Sequence, residues 1–397
     1  MEIETLRDLR TDEGRALLDG LRGLAPGEEL AAATRLRRAH APELVAAALT
    51  QAALRRRAAA KFGADADRMF FTPHGVEQST RTSVARHRAE RLAAFGARRV
   101  ADLCCGIGGD AIALARAGIS VLAVDRDPLT CAVAEANAAA LGLADLVEVR
   151  CADVADVADS PGGLGGCDAV FVDPARRGAR GRIFDPESYS PPLSWAVRTA
   201  RRAGLAALKV APGIPHEAVP EGAEAEWVSE SGDVKEAVLW FGTSPAPGAP
   251  HRATLLPAGA DLTGGRLPDP PVGEAGRYLY EPDGAVIRAH LVAETAALIG
   301  ADARLIDPTI AYLTSDRLTA TPFATAYELT DVLPFNLKRL KALLREREVG
   351  NLTVKKRGSA VEPEEIRRRV KPSGPHACTV FLTRVSGAPA MLLGHPA

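Results

Sequence analysis

The sequence lacks the long apolar segments that membrane and secreted proteins carry. No apolar run approaches the roughly 18 residues that a membrane-spanning helix needs. The first residues, MEIETLRDLR, are charged where a signal peptide has an apolar core. We therefore expect a cytoplasmic protein that has no membrane partner.

Cysteine and histidine are too sparse for a disulfide framework or a metal centre. Six cysteines are spread over 397 residues, and the adjacent pair Cys104 and Cys105 has no CxxC spacing. His74, His87 and His216 each lack a second histidine or cysteine at metal-ligand spacing. The sequence predicts reduced thiols and no bound metal.

An excess of charge of one sign is also missing, because the net charge at pH 7 is only -1. This balance argues against a protein that is basic over its whole surface. The charge is nevertheless uneven: residues 35–99 contain 14 Lys and Arg against 5 Asp and Glu, and residues 334–371 contain 12 against 5. These regions are either footprints for phosphate groups or solvated helix faces, and composition favours neither.

Length and pattern divide the chain into four parts. A single core rarely exceeds roughly 250 to 300 residues, so a chain of 397 residues indicates more than one domain. The predicted parts are an N-terminal helical region at 1–94, a central α/β domain at 95–245, a connecting segment at 246–324, and an α+β domain at 325–397.

The central part alternates short apolar strands with helical segments of about 10 to 15 residues. This pattern requires parallel strands joined by right-handed crossovers, and therefore predicts a doubly wound, Rossmann-like sheet with helices on both faces. Only six residues separate the last two predicted strands, Ala225–Ser229 and Glu236–Phe241. Because a crossover helix needs more, these strands are predicted to form an antiparallel hairpin at one edge of the sheet.

The regions on either side of this sheet have simpler patterns. Before it, a helix is predicted from Arg86 to Phe95, with Ser79 or Thr80 as a capping residue. After it, residues 325–393 are predicted to run strand, helix, strand, helix, strand, strand. This order indicates a small α+β layer, for which a ferredoxin-like arrangement is one possibility.

The segment VADLCCGIGGDA, at residues 100–111, combines a predicted strand, a glycine-rich turn and the start of a helix. Backbone N–H groups at such a turn can hold a ligand at the helix N-terminus. The spacing Gly106-x-Gly108-x-x-Ala111, followed by Asp125, also fits a dinucleotide site. Asp102 favours a different ligand, because a carboxylate repels a pyrophosphate but attracts the sulfonium and ammonium groups of S-adenosylmethionine (SAM).

These residues resemble the class I methyltransferases, which use SAM. DLCCGIGG matches the D-x-x-x-G-x-G-G form of that family's first motif, and the resemblance extends over about residues 95–245. It implies a seven-stranded sheet with an antiparallel last strand, and it assigns Asp125 to the ribose hydroxyls and Asp153 to the adenine amino group. Either aspartate alone could also be a helix cap. The cofactor-binding residues implied by the resemblance are Asp102, Cys104, Gly106, Gly108, Gly109, Asp125, Arg126, Asp153 and Gln78.

The run CDAVFVDPARRGARGR ends the fourth predicted strand at Asp173 and Pro174, where open α/β sheets bind ligands. It resembles the [N/D/S]-P-P-aromatic motif of methyltransferases that act on exocyclic amines, which implies that Asp173 and Pro174 align the accepting nitrogen. Ala175 replaces the second proline and Arg176 replaces the aromatic residue. A stacking residue would have to come from the aromatic residues that follow, each of which is individually more typical of a core: Phe184, Tyr189 and Trp195.

Two further features lie near this point of the fold. Four arginines occur within seven residues after Asp173-Pro174, and we predict that Arg176, Arg177 and Arg180 bind substrate phosphates or carboxylates. A solvated basic loop is the alternative. Lys209, at the end of the fifth parallel strand, fits a place in the acceptor pocket or in the packing at the strand end.

The wider pattern, with LCCGIGGDAI, DRDP, AEANA and VEQST, resembles the trimethylguanosine-synthase-like branch of RNA methyltransferases. NLTVKKRG and CTVFLTRV, within about residues 325–397, resemble the THUMP-like domain of bacterial methyltransferases. These resemblances imply RNA as a partner and place Glu77, Gln78 and Ser79 near the methionine end of SAM. The resulting hypothesis is methyl transfer from SAM to a nitrogen of an RNA base. The alternatives are a small-molecule acceptor, a catalytically silent RNA-binding protein that keeps SAM, and an NAD(P)-dependent oxidoreductase.

Overall fold

A computed structural model of the protein describes residues 1–178, 181–182, 185–243 and 250–397. The chain forms two compact units. Unit 1 comprises Met1–Ala223 and Ala237–Ser244, and unit 2 comprises Glu224–Glu236 and Pro245–Ala397.

The α-helices of the described residues carry numbers in chain order. They are α1 (Ile3–Arg10), α2 (Asp12–Gly20), α3 (Glu29–Leu36), α4 (Pro42–Phe62), α5 (Pro73–Gln78), α6 (Thr82–Ala94), α7 (Gly109–Arg116), α8 (Pro128–Ala140), α9 (Val154–Asp159), α10 (Leu193–Ala203), α11 (Gly284–Arg288), α12 (Val292–Ile299), α13 (Leu337–Glu346) and α14 (Pro363–Val370). Each of them is too short or too polar to cross a lipid bilayer.

The strands are numbered in the same way. They are β1 (Arg99–Leu103), β2 (Ser120–Asp125), β3 (Val147–Cys151), β4 (Ala169–Val172), β5 (Arg177–Gly178), β6 (Gly181–Arg182), β7 (Leu205–Val210), β8 (Glu224–Glu230), β9 (Asp233–Phe241), β10 (His251–Leu256), β11 (Ala260–Gly264), β12 (Tyr278–Pro282), β13 (Arg304–Asp307), β14 (Ile310–Ser315), β15 (Ala324–Pro334), β16 (Val349–Lys356), β17 (His376–Val385) and β18 (Ala388–Pro396).

The sheet of unit 1 confirms the predicted Rossmann-like fold. β1 lies between β2 and β4, β3 pairs with β2, β7 pairs with β4, and all these pairings are parallel. The end of β9 pairs with β7 in the antiparallel direction, as predicted for the last strand. β8 is the hydrogen-bonded neighbour of β9, so the strand order β8-β9-β7-β4-β1-β2-β3 contains the seven strands that the resemblance implies. The inner strands are almost wholly buried, because helices cover both faces of a doubly wound sheet.

Helices of the N-terminal region support the glycine-rich turn. On one side, Ala85, Ala89 and Leu92 of α6 pack into the core of the sheet. On the other, the first helices form a second core that includes Ile107 of the turn and Ile112 of α7. The turn is therefore packed against helices that precede it in the chain.

The prediction that Ser79 or Thr80 caps α6 is wrong. Arg81 is the N-cap residue of α6, and its side chain makes no capping hydrogen bond. Ser79 donates its hydroxyl to the carbonyl of Gly75 instead, and Thr80 accepts a hydrogen bond from Lys209. The tertiary contact of Thr80 replaces the local one that its position in the sequence favours.

Unit 2 departs from the sequence analysis in two ways. β8 does not form an edge, because β10 pairs with it in parallel and β11 then pairs with β10. The segment predicted as a connection therefore contains strands and helices, from β10 to β14. The boundaries proposed for the four parts of the chain remain predictions.

The last part of unit 2 has the predicted order of elements, from β15 to β18. Its strands are arranged β15-β18-β17-β16, with β16 and β17 parallel. A ferredoxin-like layer has the order strand, helix, strand, strand, helix, strand, so that possibility is excluded. Leu340 and Leu344 of α13 pack with Ile366 and Val370 of α14 on the core of this layer.

Candidate active site

The glycine-rich turn after β1 presents backbone amides at the carboxyl edge of the sheet. Gly108 is the N-cap of α7 and has a left-handed φ of 86°. Gly106 is also left-handed, with a φ of 56°. A Cβ on Gly106 would meet no atom within 4 Å. The backbone conformation, and not crowding, therefore requires glycine at this position.

Cys104 and Cys105 begin this turn, the first half-buried and the second buried. Cys104 has a φ of 67°, which a residue with a side chain rarely adopts and which is typical of functional sites. Burial, together with the nearby carboxylates of Asp125 and Asp102, raises the pKa of both thiols. Protonated thiols are poor nucleophiles, so neither cysteine is activated for covalent catalysis.

Residues 77–79 lie beside the turn, and their predicted place near the methionine end of SAM stays a prediction. A Cβ on Gly109 would lie 3.9 Å from the Cβ of Ser79. Lys61 fixes the segment by donating hydrogen bonds from its Nζ to the carbonyl oxygens of Glu77 (2.7 Å) and Ser79 (2.8 Å). Gln78 is exposed at the end of α5.

Asp125 ends β2 and fixes the turn from the neighbouring strand. Its Oδ2 accepts a hydrogen bond from the backbone N–H of Gly106 at 3.1 Å, and its Oδ1 accepts one from Asp127 at 3.0 Å. Arg126 follows it and is exposed. Asp153 lies just beyond the end of β3 and caps α9 by accepting from the N–H of Ala155 at 2.8 Å. Both aspartates thus have local structural partners at the edge where a cofactor would bind.

Asp102 is fully buried in β1, and neither oxygen of its carboxyl group has a hydrogen-bond partner among the described residues. Burial raises the pKa of Asp102 well above its usual value, and the neighbouring Asp110 and Asp173 raise it further. Arg88 opposes this effect, but its guanidinium is paired with Asp110 and lies 4.3 Å from the ring centre of Phe171. A buried carboxyl without a partner is costly unless another group satisfies it.

These charges fit a cationic ligand. Asp102, Asp110, Asp125 and Asp173 surround the turn, and Arg88 and Lys209 are engaged by two of them. A pyrophosphate would be repelled here, whereas an ammonium and a sulfonium would be attracted. The chemistry of the residues present therefore fits SAM.

Asp173 follows β4 and forms an ion pair with a buried lysine. The Nζ of Lys209 donates hydrogen bonds to Oδ2 of Asp173 at 2.7 Å and to Oγ1 of Thr80 at 2.8 Å. The pairing of Val172 with Leu208 places Asp173 and Lys209 side by side at the ends of β4 and β7. The side chain of Lys209 is 6% exposed and that of Asp173 is 23% exposed. The ion pair therefore holds Oδ2 of Asp173 on its buried side, while the carboxylate remains partly exposed at the surface.

The loop after Asp173 folds back on itself. Pro174 is buried, and Ala175 exchanges backbone hydrogen bonds with Ser190. Arg176 is half-buried, Arg177 lies in the short strand β5, and the predicted positions Arg180 and Phe184 lie outside the described residues.

Neither of the other two candidates for stacking is exposed. Trp195 is buried in α10, where its Nε1 donates to Asp159 at 3.3 Å, so it has a structural role. Tyr189 is also buried, and its hydroxyl has no partner among the described residues.

Sequence reasoning found the residues of the turn and of the Asp-Pro pair, because motifs at the carboxyl ends of parallel strands meet at one edge. It missed Thr80, and it left Lys209 undecided. No group of three histidine, cysteine or acidic side chains suited to a metal ion occurs in the part of the chain that the structure describes.

Three protein families match separate parts of the chain. The RNA cap guanine-N2 methyltransferase family matches residues 97–181, and the THUMP domain-like family matches residues 324–396. A domain of unknown function matches residues 2–58.

A Rossmann-like sheet and an acidic, glycine-rich turn define the SAM-binding class of transferases. Sequence similarity to curated relatives over most of the chain supports the same class. Uncharacterized SAM-dependent methyltransferases from two strains of Mycobacterium tuberculosis are 36% identical over 342 residues, which cover 84% of this chain and 90% of each relative. The chain belongs to the SAM-dependent methyltransferases, and its cofactor is SAM. This result excludes the oxidoreductase alternative.

Two further similarities are limited, the first in sequence identity and the second in the length that matches. The crystal structure of a putative methyltransferase from Porphyromonas gingivalis W83 has a TM-score of 0.77 at 21% identity, over 96% of this chain and 98% of that one. It shows the same fold. The 23S rRNA (uracil(1939)-C(5))-methyltransferase of Shewanella amazonensis is 41% identical over 81 residues, or 20% of this chain and 18% of that protein.

Proposed function

We propose that this enzyme transfers a methyl group from SAM to a nitrogen of an RNA base, at the site formed by Asp173 and Pro174. The observation that carries the proposal is the ion pair between Asp173 and the buried Lys209. With Oδ2 of Asp173 engaged by Lys209 at 2.7 Å, Oδ1 is left to accept a hydrogen bond from an amino group. Asp173 is then an orienting group, and Lys209 is a positioning residue that acts through it.

The chemistry of the site favours nitrogen as the acceptor. The lone pair of an amino group on a base is conjugated with the ring, and hydrogen bonds to its N–H groups can orient it toward a methyl group, after which the nitrogen loses a proton to solvent. A carbon acceptor needs instead a nucleophile or a base to raise its electron density. The raised pKa of Cys104 and Cys105 keeps both thiols protonated. This site can orient an amine through Asp173 and the backbone at Pro174. In well-aligned reactions, such orientation lowers the activation barrier by about 7 kcal/mol or more.

The roles of the remaining site residues follow from their places. Bound SAM supplies an electrophilic methyl group on its sulfonium. We propose that Asp102 balances the positive charge of the cofactor, and that Cys104, Gly106, Gly108 and Gly109 line its binding turn. On the neighbouring strand ends, Asp125, Arg126 and Asp153 would contact the nucleoside part, and Gln78 the methionine part.

RNA is the acceptor that the partial similarities support. The two named families and the ribosomal RNA methyltransferase concern RNA or its modification, and each matches only part of this chain. Arg176 and Arg177 follow the Asp-Pro pair, and Arg180 follows in the sequence, so we propose that this basic loop contacts phosphates of the substrate. A cytoplasmic location belongs to the same proposal, because the substrate RNA would be found there.

The acceptor class can be tested by incubating the purified enzyme with methyl-labelled SAM and separated RNA, protein and small-molecule fractions. We expect label in RNA, and in a modified base whose added methyl is on nitrogen when the RNA is digested and analysed by mass spectrometry. Label only in the small-molecule fraction would replace this proposal with the small-molecule alternative. The absence of turnover in every fraction would favour a silent RNA-binding protein.

Variants of the ion pair test the site itself. We expect Asp173→Ala to lower kcat about 10²-fold with little change in SAM affinity, because it removes an orienting contact. Lys209→Met should lower kcat about tenfold in the wild-type background and add little to Asp173→Ala, since a positioning residue acts only through its partner. Asp145→Ala, at an exposed aspartate in the loop before β3, is the matched control and should have no effect.

Folding must be checked for these variants, since Asp173→Ala leaves Lys209 buried with only Thr80 as a partner. Removing one member of a buried pair can cost about 3 to 5 kcal/mol. Asp173→Asn keeps an oxygen that can accept from Lys209, so it should remain folded. Its activity should still fall, because the amide NH2 group left to face the acceptor donates hydrogen bonds and cannot accept one. If Lys209→Met lowered kcat as much in the Asp173→Asn background as in the wild type, the proposed route through Asp173 would be wrong.

A further inference from the structure

A cavity in unit 1 lies at the C-terminal end of α8. It has a volume of about 380 Å³, and the side chains around it come from α1, α2, α4 and α8, from the turn after α2 and from residues 67–70. Five of these residues are arginines, and we call the site the arginine cavity. They are Arg10, Arg15, Arg22, Arg55 and Arg68.

Arg55 is the buried member of this group. It is only 7% exposed, whereas the other four arginines are exposed at the rim. Its Nε donates to the carbonyl of Met69 at 2.9 Å, and its guanidinium lies 5.5 Å from the ring centre of Phe70. Its two terminal nitrogens form no hydrogen bond with the described residues. The Nε of Arg55 thus fixes the position of this buried cation, and its two terminal nitrogens remain available to a ligand.

The protein balances the charge around Arg55 only in part. Two aspartates, Asp19 and Asp67, line the cavity with the five arginines. Asp19 is paired with Arg22 at 2.7 Å and Asp12 with Arg15 at 2.9 Å, so the arginines remain in excess. Burial, and then repulsion by Arg22, lowers the pKa of Arg55 to about 10. Because Arg55 is still charged at neutral pH, the cavity concentrates positive charge in a place where water is partly excluded.

We infer that the arginine cavity binds a phosphate-bearing ligand. Several guanidinium forks can donate to the oxygens of one phosphate, and such charge-assisted pairs are stronger than neutral hydrogen bonds. The cavity is larger than a single ion needs and falls in the range of small-molecule sites. Leu18, Phe70 and the alanines of α8 provide an apolar wall for the organic part of such a ligand. This inference stands on the cavity and does not depend on RNA being the methyl acceptor.

Calorimetric titration of the full-length protein with pyrophosphate, at an ionic strength held constant with NaCl, tests the site. We expect one binding site per chain. Arg55→Gln should weaken binding about tenfold or more, as expected for loss of a charge-assisted hydrogen bond, and Arg22→Gln should weaken it severalfold. Arg37→Gln changes an exposed arginine of the same unit outside the cavity, and should leave the affinity unchanged.

Two outcomes would overturn the inference. One is the absence of pyrophosphate binding above that of chloride, and the other is an equal affinity in Arg22→Gln and Arg37→Gln. Because Arg55 also holds the carbonyl of Met69, its variant must first give a normal thermal unfolding transition. If it does not fold, Arg10→Gln combined with Arg22→Gln takes its place, because both side chains are exposed.

A second titration distinguishes the source of the phosphate. If a short single-stranded RNA binds, is displaced by pyrophosphate and is weakened by Arg22→Gln, the phosphate belongs to an RNA backbone. If Arg22→Gln weakens the binding of pyrophosphate but not that of the RNA, the ligand is a free phosphorylated small molecule. Both results support a phosphate site, and neither involves SAM, so a failure of RNA methylation would leave this test intact.

Discussion

Asp102 is a residue whose proposed role in cofactor binding would come at the expense of stability. Its carboxyl group is fully buried without a partner, and burial raises its pKa. A folded-state pKa above the unfolded value means that the favourable contribution of this group is present at low pH. That contribution is lost as the pH rises through the folded value. As the pH rises above the unfolded-state pKa, Asp102 therefore opposes folding more strongly, while its ionised form would offer a negative charge to a cationic cofactor.

We predict that Asp102→Asn raises the melting temperature at pH 8, because the amide has no charge to desolvate. The gain in stability should be largest at pH 8 and should shrink toward pH 4, where the carboxyl group is protonated in both states. The same variant should bind S-adenosylhomocysteine about tenfold more weakly or worse, since its ammonium loses a charged partner. Thermal unfolding and calorimetry over a pH series measure both effects.

The matched control for this prediction is Asp145→Asn, which changes an exposed aspartate and should alter neither quantity. A variant of Asp102 that lost stability at pH 8 while binding the cofactor product normally would contradict the argument. Such a result would mean that Asp102 has a structural partner and no part in binding.

At the scale of secondary-structure elements, the sequence predicted those helices and strands whose formation depends mainly on local hydrophobic periodicity. The order of elements from β15 to β18 and the parallel strands of unit 1 follow from hydrophobic periodicity. β10 was missed because its polar side chains pair with those of β8: the half-buried Arg252 donates to Glu224 at 2.7 Å, and the buried Thr254 donates to Glu226 at 2.5 Å. A sequence cannot distinguish such side chains from exposed ones until the partner strand is known.

The residues of the candidate site likewise fall into those that a local motif predicts and those that only the tertiary structure brings together. The glycine turn and Asp173-Pro174 could be predicted because each is a short motif at the end of a strand. The contact of Lys209 with Thr80 joins residues 129 positions apart, and the sequence rule for Thr80 favoured a helix cap instead. The burial of Asp102 likewise depends on both neighbouring strands and on α6.

The glycine turn gives a prediction at this scale. Gly106→Ala places a side chain at a φ of 56°, which should cost about 1 to 2 kcal/mol of stability. It should also weaken S-adenosylhomocysteine binding, because the N–H of Gly106 is held by Asp125 and a shift of this peptide moves the whole turn. Denaturant unfolding and calorimetry measure the two changes.

Gly142→Ala is the control for backbone strain. Gly142 has a φ of 77° and open space around its Cβ position, just after α8 and away from the turn. Its variant should lose similar stability and bind the ligand normally. Equal ligand affinities for the two variants would show that the turn does not hold the cofactor.

At the scale of the whole molecule, the proposed function requires contact with RNA beyond the reacting base. Phosphate contacts supply most of such affinity, and each one makes binding more sensitive to salt. In the THUMP-like part of unit 2, Lys338 and Arg345 of α13 are exposed and form no ion pair among the described residues. Arg367 and Arg369 of α14 are instead paired with Glu364 at 2.8 Å and Glu365 at 2.7 Å.

This contrast allows a test with two double variants of equal charge. Lys338→Gln with Arg345→Gln should weaken RNA binding and reduce the slope of log affinity against log salt by about 1.4, or about 0.7 for each phosphate contact to single-stranded RNA. Arg367→Gln with Arg369→Gln should change the slope less, because these arginines are already neutralised by the protein. Fluorescence anisotropy with a labelled RNA over a salt series measures the slopes. Equal slopes for both variants would mean that net charge alone attracts RNA, and that α13 forms no specific contact with its phosphates.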